Sequence, residues 1–380
     1  VPFDELGGEL FGRMPGPDET MGVIRGCWVG RAADAEVRSV GAAGGLGTAL
    51  ALALLESGRI DGIFQCGESS QQPWKTVAKL SETREELLEN AGSHYSTVPI
   101  NALLSDMKPR GDERFALVGT GCHIQGLRKL QRAGAKGKRI VFALGILCGI
   151  NISPYATLHL MEEMGIRDPS QVVAFTSRWP GGGGAEAVLR DGQRRRVGRS
   201  FGHNMWRMIP FHMTGGCALC VDHYAELADI TVGDYQKGET AVFVRSEQGV
   251  ELVEEGIRTG RLDLRRIDWA HDPVRRDADA FIFRLKQRRA CTLMADRQAR
   301  GLPIPEFGMR QRPAKGLWSA EWNRRFFVLI HRIMATSWGR RLAKNLPAVW
   351  QYWLGALYGG AEPGHPWPLA GPEPIVKRVE

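Results

Sequence analysis

Arg114-Phe115-Ala116-Leu117-Val118, then Gly119-Thr120-Gly121-Cys122-His123, then Ile124 to Arg132, then Arg139-Ile140-Val141-Phe142-Ala143-Leu144-Gly145-Ile146-Leu147 decide the fold. The two short apolar runs read as buried strands, the glycine-bounded stretch as a tight loop and the segment after it as a helix. Strand, loop, helix and strand in that order make an α/β fold with a largely buried sheet. The same alternation continues outward. A glycine turn at Gly44–Gly47 opens a helix through Leu50–Leu55, and Ile60–Gln65 is a strand. Further on, Ala187–Val197 is expected to form an exposed hairpin around Asp191-Gly192, after a loop of four glycines, Gly181–Gly184. Ile230–Val232 and Ala241–Val244 add strands, and Val250–Gly256 a short helix. The expected fold is therefore α/β: a mixed sheet flanked by helices, with a basic, Trp-rich helical C-terminal extension.

The 380 residues can bury a full core, and 43% hydrophobic against 24% charged content marks a globular chain. Four segments are expected: an irregular one over 1–35 broken at Pro15-Gly16-Pro17, the main domain over 36–310, a basic amphipathic helical extension over 311–360, and a Pro/Gly-rich tail over 361–380. Between Met309 and Lys344 stand nine Lys or Arg and one acid, Glu321. Phe326, Phe327, Ile330, Met334, Trp338 and Leu342 recur there at three- and four-residue steps, so 322–346 reads as an amphipathic helix. That stripe could pack on the core, lie on a membrane surface or dock a partner subunit.

Net charge is +8, which suits nucleic acid, an anionic membrane or an acidic protein partner. No helix-turn-helix or zinc-finger spacing accompanies it, so nucleic acid is not expected. No run of 18 apolar residues and no secretory signal pattern is read. Nothing resembles a Gly-x-Ser-x-Gly elbow or a phosphate-binding Walker loop, which leaves hydrolase and kinase readings unsupported.

Seven cysteines are too few for a disulfide scaffold, and several cluster near glycine turns, which favours reduced, cytoplasmic metal chemistry, peripheral to a membrane if the C-terminal stripe binds one. Cys217-Ala218-Leu219-Cys220 places two thiols three residues apart, the spacing that grips one metal or one cluster iron. Cys122 and Cys148 stand where strands end. The four could ligate a [4Fe–4S] cluster, bind zinc in a stabilised binding module, or include ordinary buried thiols. Cys27, Cys66 and Cys291 lie in apolar surroundings and read as buried thiols. The glycines of Gly44–Thr48 could bring backbone amides to a phosphate at a helix N-terminus, or simply allow close packing.

Taken in order, these stretches resemble the coenzyme F420 hydrogenase/dehydrogenase beta-subunit family, whose members use flavin and iron–sulfur centres. The resemblance runs over about residues 20–310, from Gly41-Ala42-Ala43-Gly44-Gly45-Leu46-Gly47-Thr48 and Gly92-Ser93-His94-Tyr95 through the Cys122 loop and the Cys148 strand end. It continues through Arg178-Trp179-Pro180-Gly181, the Cys217–Cys220 motif and the strand and glycine turn at Ala241–Gly249. It implies FAD held by Gly44, Gly45, Thr48, Gly92, Ser93, His94 and Tyr95, and a [4Fe–4S] cluster on Cys122, Cys148, Cys217 and Cys220. It also implies an oxidoreductase that joins two-electron chemistry on an organic substrate or a deazaflavin to one-electron exchange with a ferredoxin or another redox protein. The alternative is an electron-transfer subunit with no substrate of its own, in a larger complex.

This sequence departs from the family pattern at Ala43 (family Ser), His94 (family Lys), Gly121 (family Pro) and His123 (family Gln). The ferredoxin-like cysteine run common near the family's N terminus does not occur in residues 1–26. His123 could carry a proton beside a cluster or act as a cap. Arg178-Trp179-Pro180 could contact flavin or acceptor, or pack in the core. Asp229 and Asp234 read as strand-end residues without a catalytic role.

Overall fold

The computed structural model describes the chain apart from residues 1, 17–18, 20, 107–110, 179–182, 199, 237, 273–279, 308–320, 361–375 and 379–380. Twelve strands appear among the described residues: β1 (Gly26–Ala32), β2 (Gly62–Glu68), β3 (Thr76–Ser81), β4 (Phe115–Thr120), β5 (Ile140–Ile146), β6 (Val172–Thr176), β7 (Ala185–Leu189), β8 (Arg194–Val197), β9 (Ile230–Asp234), β10 (Thr240–Val244), β11 (Leu262–Ile267) and β12 (Val376–Arg378). Eight of them form one mixed sheet in the order β11-β1-β10-β9-β5-β4-β2-β3. The central four, β9, β5, β4 and β2, are parallel, and antiparallel strands flank them on both sides.

The apolar runs are nearly continuous because both faces of the sheet are covered. Ile63, Ala116, Phe142 and Leu144 pack on one face with Leu50 and Leu54 of helix Leu46–Glu56 and Leu252 of helix Glu247–Arg258. Phe64, Leu117 and Ala143 point to the other face. They meet Phe3 and Leu6 of helix Phe3–Phe11, Ile124 and Leu127 of helix Gly121–Ala133, and Ala290 and Met294 of helix Ala280–Ala299. A smaller antiparallel sheet, β12-β8-β7-β6, packs with helices Tyr155–Glu163 and Phe201–His212 around a separate core.

The mixed α/β architecture and the strands about Cys122 and Cys148 are as the sequence indicates. β7 and β8 pair as a hairpin, but not as the exposed one expected: Ala187 and Val197 are buried in the core of the smaller sheet. Two further expectations are corrected. Residues 1–35 are not irregular: they supply helix Phe3–Phe11 and β1, which sits between β10 and β11. Gly26 and Gly30 interrupt the apolar run of β1, so its sequence does not read as a strand. The stripe over 322–346 is not one helix. Helix Glu321–Met334 ends before Thr336, whose hydroxyl accepts the Gly339 N–H at 3.1 Å and caps a second helix, Ser337–Lys344. Helix Ala348–Gly359 follows and packs against Phe201–His212. In the 361–380 tail, residues 376–378 form β12 on the smaller sheet, and the others lie outside the described residues. The helical part of the 311–360 extension begins at Glu321 among the described residues.

Candidate functional site

Ligand sites in open α/β sheets gather at the carboxyl ends of the parallel strands, and here those ends collect the chemistry. Glu68 ends β2, Thr120 ends β4 just before Cys122, Cys148 follows β5, and Asp234 ends β9.

Cys122 lies in the first turn of helix Gly121–Ala133, where unpaired N–H groups favour a bound anion. Its Sγ stands 3.2 Å from Thr120 Oγ1. Cys217 lies in the short helix Gly215–Leu219, capped by Thr214, and Cys220 is extended just beyond it. The Cys148 N–H donates to His223 O at 3.0 Å, which ties the β5 end to the peptide after Cys220. Asp222 presses on the Cys122 loop so closely that a Cβ at Gly121 would lie 2.2 Å from Asp222 Oδ2. The proline common at this position in the family would collide with that carboxylate, so glycine accompanies the buried Asp222.

All four cysteines are free thiols; Cys122 is exposed and the other three are half-buried. They are electrical neighbours. Burial pushes Cys148 up to about 12, Lys286 opposes that, and Cys217, Cys220 and Cys122 add to it. Burial also raises Cys220, with Cys122 and Cys217 contributing. Among the described residues, no three His, Cys, Asp or Glu side chains form a site for a single metal ion. Cys27 and Cys291 are buried and Cys66 half-buried, with burial pushing Cys66 to about 12 and Cys291 to about 11.

At the same edge, where Glu68 ends β2, opens a cavity of about 530 Å³. Its wall includes Gly92, Ser93, His94 and Tyr95, together with Gly41–Ala43, Trp74 and Arg178. Arg178 Nη1 lies 2.9 Å from Asp234 Oδ2, and that partner raises the guanidinium pKa. Burial lowers His94 and raises Tyr95. Trp179 and Pro180 lie outside the described residues.

Gly44, Gly45 and Thr48 are not on this wall. Gly44 and Gly45 adopt φ of +85° and +76°, and a Cβ on either would meet the carbonyl of Gly238 or Val37 at 2.3 or 2.8 Å. Close backbone packing by itself accounts for glycine at both positions. The turn presents Gly41, Ala42 and Ala43 to the cavity instead, with Ala43 held at φ +45° while Thr240 Oγ1 donates to its carbonyl. Thr48 is half-buried in helix Leu46–Glu56.

One strip joins the cavity to the cysteines. Residues 93–96 line the cavity, Asn151 Nδ2 donates to Ser96 O at 3.1 Å, and two residues on Val98 O accepts from His123 Nε2 at 2.7 Å. His123 Nδ1 accepts the Thr120 N–H at 3.3 Å, closing a capping box, and burial lowers its pKa. His123 thus caps the helix and anchors the Cys122 turn. Asp229 is structural too: it accepts from Arg128 at 3.0 Å, the Ala143 N–H at 2.8 Å and Gln248 at 2.7 Å.

Sequence reasoning missed Lys286 and Arg289. Both are 2% exposed on helix Ala280–Ala299, and they reach the backbone of Cys148 and Cys217. The available signal was two cations one turn apart on a face otherwise made by Leu285, Ala290 and Met294.

Comparison with known proteins shows the family. Residues 27–105 match the N-terminal family of the coenzyme F420 hydrogenase/dehydrogenase beta subunit. Residues 112–269 match the family of the same beta subunit's C terminus, and together the two matches cover more than half of the chain. The sequence is 27% identical over 270 residues to the coenzyme F420 hydrogenase subunit beta of Methanosarcina barkeri, covering 66% of this chain and 85% of that protein. It is 29% identical over 226 residues to the coenzyme F420-dependent sulfite reductase of Methanocaldococcus jannaschii, covering 55% of this chain but only 34% of the reductase. Among solved structures, a chain of the F420-reducing [NiFe] hydrogenase complex from Methanosarcina barkeri superposes with a TM-score of 0.63 at 21% identity. That superposition covers 76% of this chain and 98% of the other, a likeness of fold.

Proposed function

The chain belongs to the coenzyme F420 hydrogenase/dehydrogenase beta-subunit family of redox proteins, and from that premise we propose that it is an FAD- and [4Fe–4S]-dependent oxidoreductase. It would couple two-electron oxidation or reduction of a deazaflavin or another small organic substrate to one-electron exchange with a ferredoxin-like partner. The observation that supports this reading is the shared strip: four free cysteines come from three segments at the edge of the sheet, and the chain from Ser96 to Val98 links the Cys122 turn, through His123, to a cavity at that edge.

The residues fit both groups. A cubane takes each thiolate on a different iron, and Cys122, Cys148, Cys217 and Cys220 lie near enough to act on one another. The cavity volume falls in the range of about 300–1,000 Å³ usual for cofactor pockets. Gly41–Ala43 would present backbone to FAD, and Arg178, held by Asp234, would supply positive charge for its phosphates. When bound, flavin exchanges electrons in ones and twos and the cluster exchanges them singly. The chain itself positions: Tyr95 and Trp74 wall the cavity, and the exposed Cys122 brings one corner of the cysteine site to the surface where a redox protein can approach. Net charge of +8 suits an acidic partner.

Anaerobically purified protein should be brown and contain about four irons, four sulfides and one FAD per chain. A colourless protein with zinc in place of iron would overturn the reading.

A second reading, an electron-transfer subunit of a larger assembly, has one observation in its favour. Trp322, Trp338 and Trp350 are 58–61% exposed on the C-terminal helices, and Arg325 and Arg341 are exposed beside them. Exposed aromatic and basic side chains of this kind suit a partner subunit or an anionic membrane surface.

A further inference from the structure

Helix Ala280–Ala299 lies beyond the residues that the family matches cover, yet it backs the cysteine site with two buried cations. Lys286 Nζ donates to Cys148 O at 2.7 Å and also to Asp222 O. One turn on, Arg289 Nη2 donates to Cys217 O at 3.2 Å and Nη1 to Gly359 O at 3.2 Å. Arg289 Nε is buried without a hydrogen-bond partner.

Burying a cation is costly unless an anion answers it. Lys286 and Arg289 are each 2% exposed, and their side chains bond backbone carbonyls, those of Cys148 and Cys217 among them, rather than a carboxylate. A carbonyl carries no full charge to answer either cation. An anionic occupant that draws its charge from all four thiolates restores the balance.

We propose that Lys286 and Arg289 are positioning residues that set the charge of the four-cysteine site, favouring an anionic iron–sulfur cluster and holding it at a higher reduction potential than the cysteines alone would. The inference rests on the cluster reading above. One electron arriving from a reduced partner makes the site one charge more negative, with no bond formed or broken. A fixed cation in a low-dielectric surround favours that state, and cluster potentials follow net charge and hydrogen bonding.

The experiment is an anaerobic titration of the full-length protein with dithionite, followed by EPR and visible bleaching. Lys286→Met and Arg289→Met should each shift the reduction equilibrium at least about tenfold toward the oxidised form, 59 mV for a one-electron couple. Lys286→Arg and Arg289→Lys keep the charge and should stay close to the parent potential. Arg207→Met removes an equally buried arginine that pairs with Glu163 and bears on no cysteine, and should leave the potential unchanged. Unchanged potentials in both Met variants, or an equal shift in Arg207→Met, overturn the proposal. If Lys286→Met cannot hold iron, Lys286→Arg decides: iron retained at the parent potential supports a role for charge, and iron lost again makes Lys286 a packing residue and overturns it. Absence of iron from the parent protein would instead sink the cluster reading itself, a result distinct from these.

Discussion

The cysteine half of the site and the cavity half carry the same kind of signal in the sequence, and the structure treats them differently. Cys122, Cys148, Cys217 and Cys220 all come together. On the cavity side Gly92–Tyr95 line the wall, whereas Gly44, Gly45 and Thr48 lie off it. The difference lies in what each residue type can do. A thiol beside a strand end has few structural reasons to be there. A glycine has many, and at 44 and 45 the demand comes from neighbouring backbone.

The sharpest way to break the comparison is to remove the thiols. The double variant Cys217→Ala/Cys220→Ala should lose essentially all bound iron, while Cys27→Ala, buried in the β1 core, should keep it. Iron and sulfide analysis on anaerobic samples decides it, and full iron in the double variant would remove the basis of the cysteine assignment.

The glycine turn and the cavity wall can be separated next. Gly45→Val puts a branched side chain at φ +76° against the Val37 carbonyl and should destabilise the fold by ~3 kcal/mol. Arg178→Ala should leave thermal stability and iron content nearly unchanged. It would, however, remove charge-assisted hydrogen bonds worth ~1.5–3 kcal/mol and so weaken FAD binding about 10- to 100-fold. Fluorescence titration of flavin-stripped protein measures the second effect. If Gly45→Val folds normally and loses only flavin, the turn contacts the cofactor after all.

How much was legible follows from these particulars. The parallel centre of the sheet was readable because β4 and β5 are apolar on both faces. β1 was not, because two glycines break its run, and helix Ala280–Ala299 was not, because its buried face carries Lys286 and Arg289 where a core stripe would be apolar. Those cations become intelligible only once three distant segments bring thiols to meet them. Asp222 was equally opaque: its contact with Gly121 joins positions about a hundred residues apart.

A smaller effect concerns pH. His212 Nε2 lies 3.0 Å from His159 Nδ1, and Ser153 Oγ lies 3.5 Å from His212 Nδ1. Burial, then His159 and Lys344, lowers His212 to about 4. Burial likewise takes His331 to about 3, with Arg289 contributing. A histidine depressed in the folded state binds fewer protons than in the unfolded chain between its folded value and about 6.5. Stability is therefore full above about pH 6.5 and falls as pH drops toward 4, by up to ~1.4 kcal/mol per pH unit for each such histidine. Urea midpoints at pH 7 and pH 5 should differ less in His212→Asn than in the parent, and equal differences would show that His212 does not titrate this way.

The smallest effect on the fold tests whether the C-terminal helices serve a function apart from both halves of the site. Trp338 and Trp350 are 58% and 61% exposed, so Trp338→Ser/Trp350→Ser should change stability by no more than ~0.5 kcal/mol per site and leave iron and flavin content alone. Binding should respond. If the face meets an anionic membrane, co-sedimentation with phosphatidylserine vesicles falls in the double variant and also falls with salt, since arginine attraction is screened beyond about 8 Å at 0.15 M. If it meets a partner subunit through its aromatic surface, complex formation is lost while salt matters less. Should the variant match the parent in vesicle binding, complex formation and electron transfer with the native partner, these exposed tryptophans have no docking role, and the second reading of function loses the one feature in its favour.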